Sequence, residues 1–507
     1  MFPKSFSSIF IKLHNSERNN RILFKDEKKS YTWNDVKGKA DDIYSKINSS
    51  ALKKGSCALI ITDDSFLVLS SLVAVWCSNM IPVMPNGLNY NNYRITIQNC
   101  PTVIIEEQLL TQEIKQYSKI NLIVINKNTV NPIRVNQQFA EQIEFIAQNI
   151  EIELQKELVQ LTSGSTGTPK KISRTLESLY LENITLTKLL LNNVNLRELF
   201  LISTVPNFHA YGIEFRLLLP ILNNICSGTT MITYQEQFKK LDNNKIYLLI
   251  TSPGFIKRLD ETRCELNIFN IVSAGGKLDE RAFKAIAAFF SMPVFDVLGS
   301  TETGVMAYRK TYNSQTLMKP NGNNKIFVLN ERNVLLTVGK GKLAVESEYI
   351  PHAFKQNFND QSNNNHSVFI SEDLIELFDN QEFENRGRAC RTIKIEDNRI
   401  SLDDIEKAIM QLDIIMECAV VPLMDNHRES TAAMIVLSQQ GKEFYKNHSK
   451  GKLLLLIRSN LKNIIQIALP RKLVIAESLP QTPNGKIDYQ SIKELVKNEI
   501  SEHRENR

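Results

Sequence analysis

Short apolar runs alternate with amphipathic stretches along most of this 507-residue chain, and that alternation narrows the fold more than any other feature. The runs CALIIT (from Cys57), TVIIEE (Thr102), NLIVIN (Asn121), LFLIST (Leu199), KIYLLITS (Lys245) and FNIVSAGG (Phe269) are short and apolar throughout, as strands buried on both faces are. Between them lie helical patterns such as SLYLENITLTKLLLNN from Ser178 and DERAFKAIAAFF from Asp279. The alternation predicts α/β layers with mostly parallel sheets. From about Asn330 the runs become polar-interrupted (VLLTVG, KLAVESE, SVFIS, LIELFD), which predicts a smaller antiparallel β unit. After ENRGRACR come TIKI, a helix over Ser401–Met410, the strands AVVPL and TAAMIVL, and the helix GKLLLLIRSNLKNII. This last part is a compact α+β domain of about 115 residues, enough for its own core. The expected fold class is therefore α/β. A large N-terminal domain (1–388) of layered α/β subdomains plus a small β unit precedes a small α+β C-terminal domain (389–507).

Composition excludes several classes. A net charge of +6, with Lys and Arg scattered along the chain, gives no footprint for nucleic acid. The most apolar run, SFLVLSSLVAVWCSNMIPVM from Ser65, contains Ser, Asn and Pro and reads as a buried helix followed by a strand. No stable membrane insertion and no secretory leader are expected. The seven cysteines are scattered without a CxxC pair, which argues against a disulfide framework or zinc site and fits a cytoplasmic protein. The histidines form no metal-ligand spacing. The Asn-rich pieces NGNNK (from Asn321) and NFNDQSNNNH (from Asn357) read as solvated loops.

The stretch LTSGSTGTPKK, Leu161 to Lys171, combines glycines, hydroxyl side chains and lysines. Such a loop lets backbone N–H groups approach an anion closely, but Pro169 breaks the Walker spacing. TSGSTGTPK closely resembles the phosphate loop of the adenylate-forming enzymes, the superfamily of acyl- and aryl-CoA synthetases, luciferases and peptide-synthetase adenylation domains. Further segments resemble that family in its order: VPNFHAYG (from Val205), SAGGKL (Ser273), DVLGSTETG (Asp296), SEDLIEL (Ser371), ENRGRACRTIKI (Glu384) and LPQTPNGKID (Leu479). The resemblance runs from roughly Tyr31 to Lys486.

That resemblance implies ATP-dependent activation of a carboxylic acid to an acyl-adenylate, followed by transfer to the thiol of CoA or of an acyl carrier protein's phosphopantetheine. Thr162, Ser163, Gly164, Ser165, Thr166, Gly167 and Lys170 would hold the β- and γ-phosphates. Gly275, Gly276 and Lys277 would lie against the adenine, with Leu298, Gly299 and Ser300 also on the nucleotide. Thr301 would donate to the α-phosphate, and Glu302 would help hold Mg²⁺, a hard cation that prefers oxygen. Asp373 and Arg388 would contact the ribose, and His209 would gate the carboxylate pocket. Lys486 would bridge carboxylate and α-phosphate, where a cation is most useful in the transition state. The C-terminal domain would be mobile, with a hinge at Cys390 and Lys394 facing the site in the thioester state.

Several positions depart from the family pattern. Leu298 stands where Tyr is usual, Ser371-Glu372-Asp373 replaces Thr-Gly-Asp, and Cys390 occupies a hinge position that is usually Asp or Lys. Asp397 stands near a usual Gly. FHAYGIEFRLLL lacks the Asp that pairs with an α-ammonium in amino-acid-activating members, which disfavours an α-amino acid and favours a fatty or aryl acid. The departures also admit a non-catalytic nucleotide- or acyl-binding descendant of the same fold. A ligase that stops at the acyl-adenylate is disfavoured, because no insertion stands near the hinge.

Overall fold

The computed structural model describes residues 6–15, 20–49, 53–127, 135–162, 170–260, 263–276, 278–313, 315–395, 398–425, 428–462, 470–481 and 487–505. The chain divides into two compact units. One comprises Met1–Lys325, Val345–Asn357 and Ser367–Phe369; the other comprises Ile326–Ala344, Phe358–His366 and Ile370–Arg507.

The first unit holds two layered sheets. One runs in the order Asn121–Ile125, Thr102–Glu106, Cys57–Ile61, Ile81–Met84, Glu157–Thr162, Lys170–Thr175, parallel except for its last pair. The other runs Lys319–Pro320, Gly304–Thr311, Val294–Ser300, Asn267–Ser273, Ile246–Thr251, Leu199–Ser203, Cys226–Gly228, Ile22–Lys25, Ser30–Thr32. Its central strands are parallel, while the hairpin Val294–Ser300 with Gly304–Thr311 is antiparallel. The apolar runs form strands where the sequence predicts them, because parallel strands covered by helices on both faces bury every side chain.

The run from Ser65 folds as expected, as helix Ser65–Cys77 followed by strand Ile81–Met84. Every residue of that helix is buried. Asp64 caps it, its carboxylate accepting from the N–H groups of Phe66 (3.1 Å) and Leu67 (3.2 Å). Among the described residues no helix is long and apolar enough to cross a membrane.

In the second unit, strand Ile415–Asp425 pairs antiparallel with Arg428–Leu437, which pairs parallel with Lys472–Ala476. Alternate residues face opposite ways. Cys418 and Val420 pack against helices Leu402–Ile409 and Lys450–Lys462, while Ala419 and Val421 pack against helix Tyr489–Glu505. The expected helix over Ser401–Met410 is present, with Ser401 as its N-cap.

The polar-interrupted region differs from its reading in two ways. SVFIS and LIELFD belong to one strand, Asn365–Leu377. The polar break Ser371-Glu372-Asp373 is carried inside that strand because Glu372 meets Lys342 at 2.8 Å while Asp373 lies opposite Arg388 on the neighbouring strand. Conversely, VLLTVG does not form one strand. It is split into Leu335–Leu336 and the start of Gly339–Glu346, with Thr337 and Val338 between them and Gly339 opening the second strand at φ 126°.

Candidate functional site in the first unit

The segment DVLGSTETG builds a hairpin whose tip is Thr301-Glu302-Thr303, joining strands Val294–Ser300 and Gly304–Thr311. Its register is fixed at the base by Asp296, which faces Arg309 across the pair and accepts from its guanidinium at 2.7 and 2.8 Å. At the tip the backbone closes tightly. A Cβ on Gly299 would stand 2.4 Å from the carbonyl oxygen of Gly304, so glycine is required there. Thr303 is fully buried; its Oγ accepts from the N–H of Ser300 (3.1 Å) and donates to the carbonyl of Gly304 (2.8 Å). With Thr303 turned inward, Thr301 and Glu302 are left partly exposed at the tip.

Glu302 receives the ammonium of Lys170, 132 residues earlier, at 2.8 Å. Lys170 opens strand Lys170–Thr175 and pairs with Thr162, the last residue of Glu157–Thr162. The fold thus carries both shoulders of the glycine-rich loop to the hairpin tip. Partial burial raises the Glu302 carboxyl pKa. Hydrogen bonds from Lys170, its own N–H and Ser300, with the Lys170 charge, outweigh burial and hold it below the ordinary value. The carboxylate is therefore ionised at neutral pH, a hard oxygen donor of the kind Mg²⁺ takes.

A buried polar assembly underlies the tip. Arg174 shares a strand face with Ile172, and alternation points both inward. Its guanidinium meets Glu182 at 2.7 Å, with both side chains almost fully buried, and donates to Ser178 Oγ at 3.0 and 2.8 Å. Glu182 in turn accepts from the N–H of Val305, the second residue of the returning strand, at 2.8 Å. Gly304 has φ 64°, and a Cβ there would stand 2.1 Å from the Glu182 carboxylate. Ser178 Oγ also donates to the carbonyl of Tyr349 at 2.5 Å. The hydroxyl of Tyr349 bonds with Asn324 (2.7 Å), Asn321 (3.2 Å) and the Val305 carbonyl.

Asn321 and Asn324 therefore do not lie in a solvated loop as their composition suggested. They are buried, and the Asn324 amide donates to the carbonyls of Val305 and Met306 at 3.2 and 3.0 Å. A side-chain amide can donate to two acceptors at once, which suits Asn to backbone carbonyls exposed by a tight hairpin. A third acid, Glu214, is buried beside Glu182. Burial first, then the Glu182 charge, push its carboxyl well above the ordinary value, and it accepts from Asn183 at 3.1 Å. Burial thus favours the uncharged form of Glu214, and Arg174 makes its ion pair with Glu182. No spacing rule links Arg174 to Glu182. The legible signal is an arginine at an inward strand position, which demands a buried partner.

The segment VPNFHAYG leads into a short helix, Ala210–Gly212, and a π-helical stretch, Ile213–Leu218. His209 is the N-cap, its ring edge-on to Phe208 with centroids 4.5 Å apart. Gly212 is required by contact, because a Cβ would stand 1.8 Å from the Pro206 carbonyl oxygen. Asn207 bonds to Asp63 and Ser65, and fully buried Arg216 meets Asp63 at 2.8 Å. Tyr211 donates to the Val272 carbonyl at 2.9 Å, tying this segment to the strand that ends at Ser273. Beyond that strand, Gly275 (φ 90°) and Gly276 are exposed, and Leu298 is half-buried.

In the second unit Asp373 and Arg388 are cross-strand partners, with Arg388 Nε 3.9 Å from Asp373 Oδ1. Asp373 stands within strand Asn365–Leu377, accepting from Ser371 Oγ. Lys394 lies on strand Thr392–Ile395. Ser163, Gly164, Ser165, Thr166, Gly167, Lys277 and Lys486 lie outside the described residues, as do the side chains of Cys390 and Lys394.

Comparison with known proteins accords with this geometry. The AMP-binding enzyme family matches residues 12–350, and the AMP-binding enzyme C-terminal domain matches residues 404–486. The chain belongs to that family, the adenylate-forming superfamily of ligases. Among curated proteins it is similar to the D-alanine–D-alanyl carrier protein ligase of Staphylococcus aureus, 26% identical over 363 residues, 66% of this chain and 70% of that protein. Its fold is shared with a benzoate CoA ligase from Burkholderia xenovorans LB400 (TM-score 0.74, 18% identity, 96% of this chain and 99% of that one). It is shared too with the o-succinylbenzoate coenzyme A synthetase of Bacillus subtilis solved with ATP and magnesium ion (TM-score 0.74, 16% identity, 96% of this chain and 99% of that one).

Proposed function

We propose that the protein uses ATP to activate a carboxylic acid, a fatty or aryl acid, and passes the acyl group to the thiol of CoA or of a carrier protein. The observation that carries this reading is the meeting of Lys170 with Glu302 at a hairpin tip braced by the buried Arg174–Glu182 pair. In the first step a carboxylate oxygen attacks the α-phosphorus of ATP and the bond to the β-phosphate breaks, so pyrophosphate leaves. In the second the thiol sulfur attacks the acyl carbon and AMP leaves, with the thiol proton going to solvent.

The chain's part is positioning and charge. Thr162, Lys170 and residues 163–167 hold the phosphates. Thr301 donates to the α-phosphate, and Lys486 bridges carboxylate and α-phosphate. Gly275, Gly276, Lys277 and Leu298–Ser300 border the adenine, and Asp373 with Arg388 takes the ribose. Glu302 is the residue that would hold Mg²⁺, which when bound would supply charge neutralisation on the triphosphate. The C-terminal part from 389 turns about Cys390 to exchange Lys486 for Lys394, and His209 gates the acid pocket.

For the acid, the Phe208–Leu217 stretch is mostly small or apolar, burial pushes its one carboxyl, Glu214, well above the ordinary value towards the uncharged form, and nearby Asp63 is taken by Arg216. A wall without a free carboxylate suits an uncharged acyl chain or ring better than an α-ammonium. The likeness to a D-alanine ligase favours a second reading, in which a small amino acid is the substrate.

Carboxylate-dependent ATP–pyrophosphate exchange over short, medium, long and aromatic acids and D-alanine, with Lys486→Ala beside the wild type, tests both. Exchange with fatty or aryl acids that collapses in the variant supports the first reading. Exchange with D-alanine alone moves the substrate to the second. No exchange with any acid, while ATP binds, leaves a non-catalytic nucleotide binder.

A further inference from the structure

Cysteines that look scattered along the chain are not scattered in the fold. Strand Cys57–Ile61 runs parallel to Thr102–Glu106 with Ala58 opposite Thr102, so Cys57 and Cys100 stand at the same end of two adjacent strands. Their sulfurs are 3.0 Å apart, although 43 residues separate them in sequence. Cys57 is half-buried and Cys100 is buried. Neither is disulfide-bonded here. A shallow cavity of about 490 Å³, lined by Gln98–Pro101 and Gln116–Ile120, opens beside Cys100.

The pair is chemically unequal. Cys57 is drawn down to about 6, first by the hydrogen bond with Cys100, against burial, with help from the positive charge of Lys171. Cys100 is pushed far up by the same bond and by burial. Burial raises Cys77, Cys226, Cys264 and Cys418 above the ordinary value, so among the described cysteines Cys57 alone is favoured as a thiolate. A thiolate next to a resolving thiol is the arrangement that attacks a low-molecular-weight disulfide and then closes an internal one.

We propose that Cys57 and Cys100 form a reversible thiol–disulfide site, which takes small disulfides of the glutathione type as its oxidant. The Cys57 thiolate attacks one sulfur of the oxidant, its S–S bond breaks, and one thiolate leaves and takes up a proton. The Cys100 sulfur then attacks Cys57 Sγ in the mixed disulfide, releasing the second thiol and closing the Cys57–Cys100 bond. The protein loses two hydrogens, and the oxidant is reduced to two thiols. No large backbone movement is needed, because the sulfurs are already in contact. The site is independent of the proposed ligase activity.

The test uses the reduced full-length chain in a series of reduced and oxidised glutathione mixtures, quenched by alkylation and read by peptide mass spectrometry. The expected result is joint loss of both alkylatable thiols and a peptide pair cross-linked through Cys57 and Cys100, reversed by dithiothreitol. Cys100→Ser should instead accumulate a glutathione adduct on Cys57, while Cys57→Ser should leave Cys100 reduced. A wild-type chain that keeps both thiols, or that holds glutathione on Cys57 with Cys100 still free, would overturn the proposal. The wild-type arm decides the matter even if the buried Cys100 position does not tolerate serine.

Discussion

Two buried arginine clusters, one in each unit, solve the same problem differently. In the first unit Arg174 meets one acid, Glu182, and burial pushes the neighbouring Glu214 carboxyl well above its ordinary value. In the second unit Arg391 meets two acids, Asp403 and Glu406, and lies over the Tyr489 ring with its Cζ 3.7 Å from the centroid. Tyr489 donates to Glu406 at 3.1 Å and Val420 donates its N–H to the same carboxyl. Burial pushes Glu406 up to about 7, with Arg391 and the Val420 N–H pulling the other way. The first cluster braces the hairpin proposed to face the phosphates, and both side chains of its ion pair are almost fully buried. The second anchors the residue after Cys390 and contains a group that titrates within that range. A site that must present fixed charge suits the first design, and a segment proposed to turn suits the second.

The largest expected effect is on the first cluster. Glu182→Ala leaves Arg174 buried and unpaired, and should cost about 3–5 kcal/mol in urea unfolding. The double variant Arg174→Met with Glu182→Leu should cost much less, because an apolar replacement needs no partner. A double variant as unstable as the single would show that the pair is a net source of stability and not a brace.

Next is Gly304→Ala. It places a methyl on a positive-φ residue against the Glu182 carboxylate, with an expected loss of about 1–3 kcal/mol by the same measurement. Wild-type stability would instead mean that the hairpin tip shifts freely.

The third concerns pH. The Glu406 pKa is raised on folding from 4.5 to about 7, so its contribution is fully present below 4.5 and fades as pH rises through 7. Thermal unfolding compared at pH 5 and 8 should show Glu406→Gln losing about 1–3 kcal/mol of the wild type's decline with pH. An identical pH dependence in the two proteins would remove the contrast between the clusters.

The smallest stability effect belongs to the Lys170–Glu302 pair, the one proposed to meet the nucleotide. Lys170 is 59% exposed, so Lys170→Met should change unfolding by about 0–1 kcal/mol.

The same contrast explains what the sequence made legible. The parallel strands and the buried helix Ser65–Cys77 were readable because short apolar runs report burial directly. The brace was not. Arg174, Glu182, Tyr349, Asn321 and Asn324 come from distant segments, and nothing local shows that the first and last Asn of Asn-Gly-Asn-Asn are buried while the two residues between them are exposed. Asp373 and Arg388 stand fifteen residues apart in sequence and become neighbours only through strand pairing. Cys57 and Cys100 were likewise separated in sequence and joined by strand order.

The measurement that tests the central claim most directly is calorimetric titration of ATP with Mg²⁺ into the wild type, Lys170→Met and Glu302→Gln. The account predicts one nucleotide site in the wild type and at least a roughly tenfold loss of affinity in each variant, about 1.4 kcal/mol or more, with unfolding almost unchanged. Equal affinity in all three proteins would contradict it, because the Lys170–Glu302 pair would then be an ordinary surface ion pair.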